Sequence, residues 1–259
     1  MGPEEFCQWM SGYKHKDPIT GFTYQYHPRS DSHSKILCKA VLKDFLDSSS
    51  VLASQAIKRE VIYGINVEVV SPHTGKKKTL DLAIGLPTKG WKPSHDMSAP
   101  ISEGSIDRVL LSCEAKSVMT EHSKSKPRVY DELNSSHDIV HQGWSDAIAT
   151  GIAVVNVAPT FVSPLRQRVG LALHITQHKQ PKAAADMVKH LRGLRIREKV
   201  GDYGFDAFAC LVVECGNQCA EVRLWKDAPA PQPGEKDQYK SFVERVSELW
   251  QERFKKLPR

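Results

Sequence analysis

Ten residues restrict what this chain can fold into more than any others: Arg108 to Ser117, which read RVLLSCEAKS. The apolar run Val109-Leu110-Leu111 opens the stretch as a buried β-strand. Side chains alternate across a strand, so Ser112, Glu114 and Lys116 share one face while Leu111, Cys113 and Ala115 share the other. The strand therefore carries a carboxylate and an ammonium side by side into the interior. Burying such a pair is costly unless its members are paired, hydrogen-bonded or bound to something. A divalent cation is the partner that suits them. Upstream, Thr79-Leu80-Asp81-Leu82-Ala83-Ile84 sets a second carboxylate in another strand-like run.

Around these two strands the chain reads as an α/β domain over residues 34–259, ending in a helix, with an arm over residues 1–33. The arm is rich in Gly, Pro, His, Tyr and Ser, with one short helix near Glu4 to Met10. Its stretch Tyr24 to Arg29 mixes aromatic and basic groups, and packing on the domain is expected there over contact with DNA. Apolar spacing predicts helices over Ser34–Leu46, Arg128–Gly143, Lys182–Lys199 and Gln238–Lys255. Val51 to Arg59 reads as a short helix or an extended link. Strands are predicted over Val61–Val70, Thr79–Ile84, Phe205–Glu214 and Ala220–Trp225, and over a continuous apolar run within Ala147–Ala158. Ser71-Pro72-His73-Thr74-Gly75 turns the first two into a hairpin with a basic tip, Lys76-Lys77-Lys78. Gly85 to Gly104 reads as a long loop, a kind often tied to function or motion.

A helix, a hairpin whose second strand holds Asp81, and then a strand with Glu114-Ala115-Lys116 resembles the PD-(D/E)xK nuclease superfamily. Many type II restriction endonucleases share that fold. Leu80 stands where the family's name has Pro. The resemblance implies a restriction-endonuclease-like core, a mixed central β-sheet flanked by helices. It further implies Mg²⁺ held by Asp81, Glu114 and the Ala115 carbonyl, with Lys116 orienting or deprotonating the attacking water. Mg²⁺ suits such a set because it prefers oxygen ligands and retains waters. The implied activity is Mg²⁺-dependent endonucleolytic hydrolysis of double-stranded DNA, as in a type II restriction enzyme. Cutting both strands of a palindrome needs two sites related by two-fold symmetry, hence a homodimer. Two other readings stand beside it. One is a repair, defence or mobile-element nuclease with the same core. The other is a non-catalytic nucleic-acid-binding protein in which Glu114 and Lys116 form a structural pair.

Lys and Arg exceed Asp and Glu by 36 − 30 = +6, which permits a polyanionic partner without requiring one. Candidate phosphate contacts are Lys76, Lys77 and Lys78 at the hairpin tip, and Arg166 and Arg168 in a loop. Lys189, Arg192 and Arg195, with Arg197 beside them, and the run Lys179 to Lys182 complete the set. A solvated face is the alternative for each one taken singly. Glu60, Glu68 and Glu132 are candidates for a further carboxylate; a solvated strand face is the plainer reading of the first two.

Other chemistries find less support. No apolar run reaches membrane-spanning length, and Met1 to Asp17 lacks the pattern of a signal peptide. The expectation is a cytoplasmic protein whose six cysteines are reduced. His137 and His141 share a helix face, but zinc would need two more ligands, and surface histidines are expected. Cys210, Cys215 and Cys219, even with His174 or His178, lack zinc-knuckle spacing and read as buried thiols. There is no Gly-rich phosphate loop and no Gly-x-Ser-x-Gly, which argues against a nucleotide motor and an α/β-hydrolase.

Overall fold

Hydrophobic periodicity switches between helical and strand spacing along the chain, and the elements of the computed structural model follow it. The structure describes residues 2–70, 75, 77–93 and 99–258. The order is α1 (Gly2–Gly12), β1 (His15–Lys16), β2 (Thr23–Tyr24), α2 (Ser32–Ser48), α3 (Ser50–Ile57), β3 (Ile62–Val70) and β4 (Lys77–Pro87). Then come β5 (Ile106–Val118), α4 (His122–Gly143), β6 (Ile148–Asn156), β7 (Thr160–Phe161), a 3₁₀ turn (Pro164–Arg166) and β8 (Thr176–Gln177). The chain ends with α5 (Lys182–Leu191), β9 (Ala207–Glu214), β10 (Arg223–Leu224) and α6 (Tyr239–Phe254).

Six strands form one mixed sheet in the order β10-β9-β6-β5-β4-β3. Strands β5, β6 and β9 run parallel; β4 pairs antiparallel with β5 and β10 with β9, while β3 pairs antiparallel with β4 and so runs in the direction of the parallel strands. Parallel neighbours need a crossover, and α4 and α5 supply the two crossovers on one face. On the other face α1, α2, α3 and α6 pack a second apolar layer that includes Leu37, Phe45, Phe242 and Trp250. Every residue of β6 is buried, as a strand covered on both faces must be. The α/β architecture with a mixed central sheet between helices is therefore as expected.

The short helix expected near Glu4 to Met10 is α1, and its Phe6, Cys7 and Met10 are buried in the α2/α6 layer. The buried Asn217 side chain fastens the rest of the arm: it accepts from the Gln25 and Tyr26 amides at 2.8 and 2.7 Å and donates to the Tyr26 carbonyl at 2.9 Å. Helix α4 starts six residues before Arg128 despite Pro127, because His122 is buried with its ring nitrogen 2.7 Å from the Asn156 carbonyl. Helix α5 stops at Leu191 instead of Lys199. Beyond Gly193 the chain is drawn into a bridge with Phe205, the Arg197 amide donating to the Phe205 carbonyl at 2.7 Å. The predicted turn over 71–75 and the tip residue Lys76 lie outside the described residues, Gly75 excepted.

If α1 belongs to the core, Phe6→Ala costs about 3 kcal/mol of unfolding free energy, the range for emptying a buried aromatic site. Urea denaturation measures it; a change near zero would mean the segment packs only at the surface.

Candidate functional site

Two irregularities in the sheet create the site. The first is in the β3/β4 hairpin. Tyr63 and Ile65 pack with the α2/α6 layer, whereas Val67 and Val69 pack with the α4/α5 layer, although all four are odd-numbered. On the facing strand Leu82 and Ile84 go with the first layer and Leu80 with the second. The pleat reverses in both strands at the same level. Asn66, in the left-handed region at φ 55°, stands at the reversal. Its expected partner in the ladder, Asp81, drops out of the register between Ile65↔Leu82 and Val67↔Leu80. Asn tolerates this conformation better than a β-branched residue would.

The second irregularity is where β4 leaves β5. Their ladder ends at Leu82↔Cys113, while β5 remains paired with β6 as far as Val118↔Val155. A bulge at Leu110, one residue of which has no counterpart between Ile84↔Leu111 and Gly85↔Val109, sets the face of everything after it. Gly85 permits it, since a side chain there would collide with the Arg108 carbonyl. From Leu111 on, odd residues face the α2/α6 layer, so Glu114 and Lys116 face α4.

The side chains converge at that fork. Asp81 Oδ2 accepts a hydrogen bond from the Ala115 amide at 2.8 Å, taking the place of a ladder partner. In an extended strand a residue's N–H and C=O leave by the same edge, so the Ala115 carbonyl is turned to the Asp81 side as well. Glu114 is buried, with 2 % of its side chain exposed. Its Oε1 receives two ammonium groups, Lys116 Nζ at 2.6 Å and Lys78 Nζ at 3.1 Å. Among the described residues its Oε2 is buried without a hydrogen-bond partner. Lys116 Nζ also lies 3.6 Å from Glu132 Oε2, and Lys78 Nζ donates to the Glu132 carbonyl at 3.4 Å, so α4 is tied to the site.

The charges explain each other's behaviour. Burial, together with the negative charge of Glu114, pushes the Asp81 carboxyl up to about 6, against the pull of the Ala115 amide and the two lysines. Burial alone would lower Lys116, but Glu114, Asp81 and Glu132 outweigh it and hold its pKa above the ordinary lysine value. Lys116 is thus held in its charged form beside Glu114.

The donor set fits a hard cation. It offers two carboxylates and a carbonyl at one fork, one of the carboxylate oxygens having no partner, and Mg²⁺ ordinarily takes one or two carboxylates with waters. Among the described residues no group of three or more His, Cys, Asp and Glu side chains gathers at metal-binding distance.

The remaining candidates separate by location. Lys78, expected at a solvated tip, is half-buried on Glu114, because the pleat reversal turns it to the α4 face with Leu80. Lys77 pairs with Glu68 at 2.9 Å on the exposed side of the hairpin, and Glu60 is exposed. Arg192 is occupied by Asp237 at 2.8 Å and Glu235 at 2.6 Å. Lys189, Arg195 and Arg168 are exposed, and Arg166 pairs with Glu121. Arg197 does not join a solvated face: it is 1 % exposed and bonds Asp206 Oδ1 at 2.7 Å, as does Arg253. His141 completes that cluster 3.3 Å from Asp206 Oδ2, and the buried His137 ring sits edge-on to Tyr203 and Phe205. These histidines serve the interior, where burial lowers the pKa of His137 to about 4. All six cysteines are free and five of them buried. No helix of the described residues is long and apolar enough to cross a membrane.

The rear of the site is held by Asn156, fully buried at the end of β6. Its Nδ2 donates to the Met119 and Cys215 carbonyls, both at 2.9 Å, and its Oδ1 accepts from the Ala158 and Cys215 amides, both at 3.0 Å. One side chain thereby locks β5, β6 and β9 together just beyond Lys116. Sequence patterning gave no sign of this role.

The chain matches no protein-family model, no curated protein and no solved structure.

A stability measurement probes the fork directly. Between pH 3.8, the ordinary carboxyl value, and about 6 the folded chain retains a proton on Asp81 that the unfolded chain has lost. Stability therefore falls as pH rises through that window. Asp81→Asn keeps an oxygen for the Ala115 amide and removes the charge. In EDTA it should be more stable than the parent above pH 6, by up to about 3 kcal/mol, with no difference below pH 4. Equal stability at all pH values would mean that neither burial nor Glu114 raises the Asp81 carboxyl in the folded chain.

Proposed function

We propose that this protein is a Mg²⁺-dependent endonuclease acting on double-stranded DNA, built on a restriction-endonuclease-like core. One observation carries the reading: Asp81 holds the Ala115 amide, next in the chain to Glu114, where two strands part, with Lys116 on one Glu114 oxygen and the other oxygen unclaimed. A scaffold that needed only a neutral interior would have apolar residues there, since buried charge is a poor source of stability. The fold supports the reading too, because helix, hairpin and Glu-x-Lys strand follow in the order set out above.

Asp81, Glu114 and the Ala115 carbonyl would hold the cation, which supplies Lewis-acid polarisation of a phosphodiester oxygen and activation of a water. Lys116, charged and oriented by Glu114 and Glu132, stabilises negative charge developing on the phosphate and sits within reach of the attacking water. Glu132 positions Lys116 from α4. Lys78 is a second counter-ion to Glu114, which it neutralises in the metal-free protein. A homodimer cutting both strands, as in type II restriction, is the assembly that suits a duplex substrate. A rival reading treats Glu114 with its two lysines as a structural ion cluster in a non-catalytic DNA-binding protein. The paired state of Glu114 Oε1 favours it, and the unclaimed Oε2 counts against it.

Supercoiled plasmid should be nicked or cut by the parent protein in Mg²⁺ and left intact in EDTA. Lys116→Ala should lower that rate by about three orders of magnitude, the scale for loss of one preorganised charge stabiliser, while DNA binding persists. Absence of metal-dependent cleavage on unmethylated and methylated plasmids alike would remove the nuclease reading and leave the ion cluster.

Lys78→Met gives a separate check. Deleting a positive charge that competes for Glu114 should tighten Mg²⁺ binding by about tenfold in titration calorimetry and lower the melting temperature in EDTA. Unchanged Mg²⁺ affinity would show that Lys78 does not compete for the cation.

A further inference from the structure

A hairpin stands out from the edge of this site. Strands β7 and β8 pair Thr160 with Gln177 and Phe161 with Thr176, and the chain between them returns on itself. The base is firm: Phe161 and Val162 are 1 % exposed, and the Val162 amide donates to the Gly216 carbonyl at 3.0 Å. The legs are braced by Gln167, whose Nε2 donates to the His174 carbonyl at 2.9 Å and whose Oε1 accepts from the His174 amide at 2.8 Å. The tip is a β-turn, Arg168 to Leu171, with Gly170 at φ 72° and the Leu171 amide 3.3 Å from the Arg168 carbonyl. Yet this braced turn points its apolar groups at solvent: Val169 is 68 % and Leu171 59 % exposed.

Charge and position indicate the partner. No Asp or Glu occurs between Asp146 and Asp186, a span that holds Arg166, Arg168, Lys179 and Lys182. Both legs are tied to the junction between β5 and α4, Arg166 through Glu121 and His178 through Thr120 at 3.0 Å. Thr120 and Glu121 lie four and five residues past Lys116, at most about 18 Å of extended chain. A duplex, whose major groove alone is about 12 Å wide, is broad enough to span Lys116 and these anchor points together. A second copy of this chain fits less well. A two-fold contact through the tip would bring Arg168 of both copies together with no acidic residue in the hairpin to receive them.

We propose, resting on the nuclease reading, that the hairpin 160–177 is a wedge for duplex DNA. Arg168 meets the phosphates, and Val169 and Leu171 enter a groove and part a base step, as apolar wedges do in proteins that kink DNA. Unstacking at the cut site would loosen the duplex around the phosphodiester presented to Lys116.

The test uses Lys116→Ala protein in Mg²⁺, so that bound DNA stays whole, and a pool of fluorescent duplexes of randomised sequence. Adding Val169→Ser and Leu171→Ser, both at solvent, should weaken binding on the order of tenfold and abolish the permanganate reactivity of unstacked thymines that the parent induces. Arg168→Ala should reduce the dependence of log affinity on log salt by about 0.9. Unchanged affinity and unchanged thymine reactivity in the Ser variant would overturn the wedge. So would a Ser variant that binds DNA normally but falls from dimer to monomer in sedimentation, or that loses binding to phosphatidylserine vesicles instead. If the protein with Lys116 intact cleaves plasmid and the Ser variant binds as before, only the wedge fails. If the protein with Lys116 intact neither cleaves nor binds duplex, the nuclease reading fails with it.

Discussion

A single buried carboxylate sets the terms for this half of the molecule. Glu114 is buried on β5 just past the point where β4 parts from it, and its charge cannot be left alone there. The lysine two residues on answers it from the same strand, and Lys78 answers it from the neighbouring one. Both lysines then reach α4 through Glu132, so the helix packs on the sheet through charge as well as through Val129, Leu133 and Val140. Asp81 completes the arrangement by holding the Ala115 amide at the fork, which fixes the strand that carries Glu114. Each member is where it is because another would otherwise be unpaired.

The sequence made the strands, their order and the carboxylates readable, because apolar alternation and the Glu-x-Lys pair are local signals. Glu114 and Lys116 on one face follow from the pleat alone, and the structure keeps them there. Lys78 could not be read the same way. Counting by twos from Asp81 puts Lys78 on the wrong face, and only the reversal at Asn66 corrects the count. Arg197 was misplaced for a related reason: a helical count carried past Gly193 puts it on a solvated face, but the helix has ended and the side chain turns inward to Asp206. Asn156 and Asn217 hold distant segments through side-chain amides, and nothing in spacing or periodicity marks a residue for that work.

The two ends of the parallel strands are treated differently. At the far end the interior charges are closed off, with Asp206 surrounded by Arg197, Arg253 and His141 and held down to about 2 by them. Near Lys116 Glu114 keeps one oxygen without a partner, and burial together with the Glu114 charge pushes Asp81 up. Both networks leave a buried polar atom over, but of opposite kinds: Arg253 Nε beside Asp206, and a carboxylate oxygen at Glu114. A spare carboxylate oxygen, unlike a spare guanidinium nitrogen, is the kind of group a cation can use.

Strand β3 forms one outer margin of the sheet, where unpaired amides and carbonyls could recruit a strand from another molecule. Its first half is covered by a short segment, the Tyr63 amide donating to the Ser102 carbonyl and the Gly104 amide to the Tyr63 carbonyl. Its second half is bent by the left-handed Asn66, so the exposed rim is neither straight nor regularly spaced. The opposite margin, β10, is two residues long. The kink that turns Lys78 toward Glu114 therefore also spoils the sheet as a template for fibrous self-assembly, and one residue's backbone angle shapes both the ion cluster and the rim.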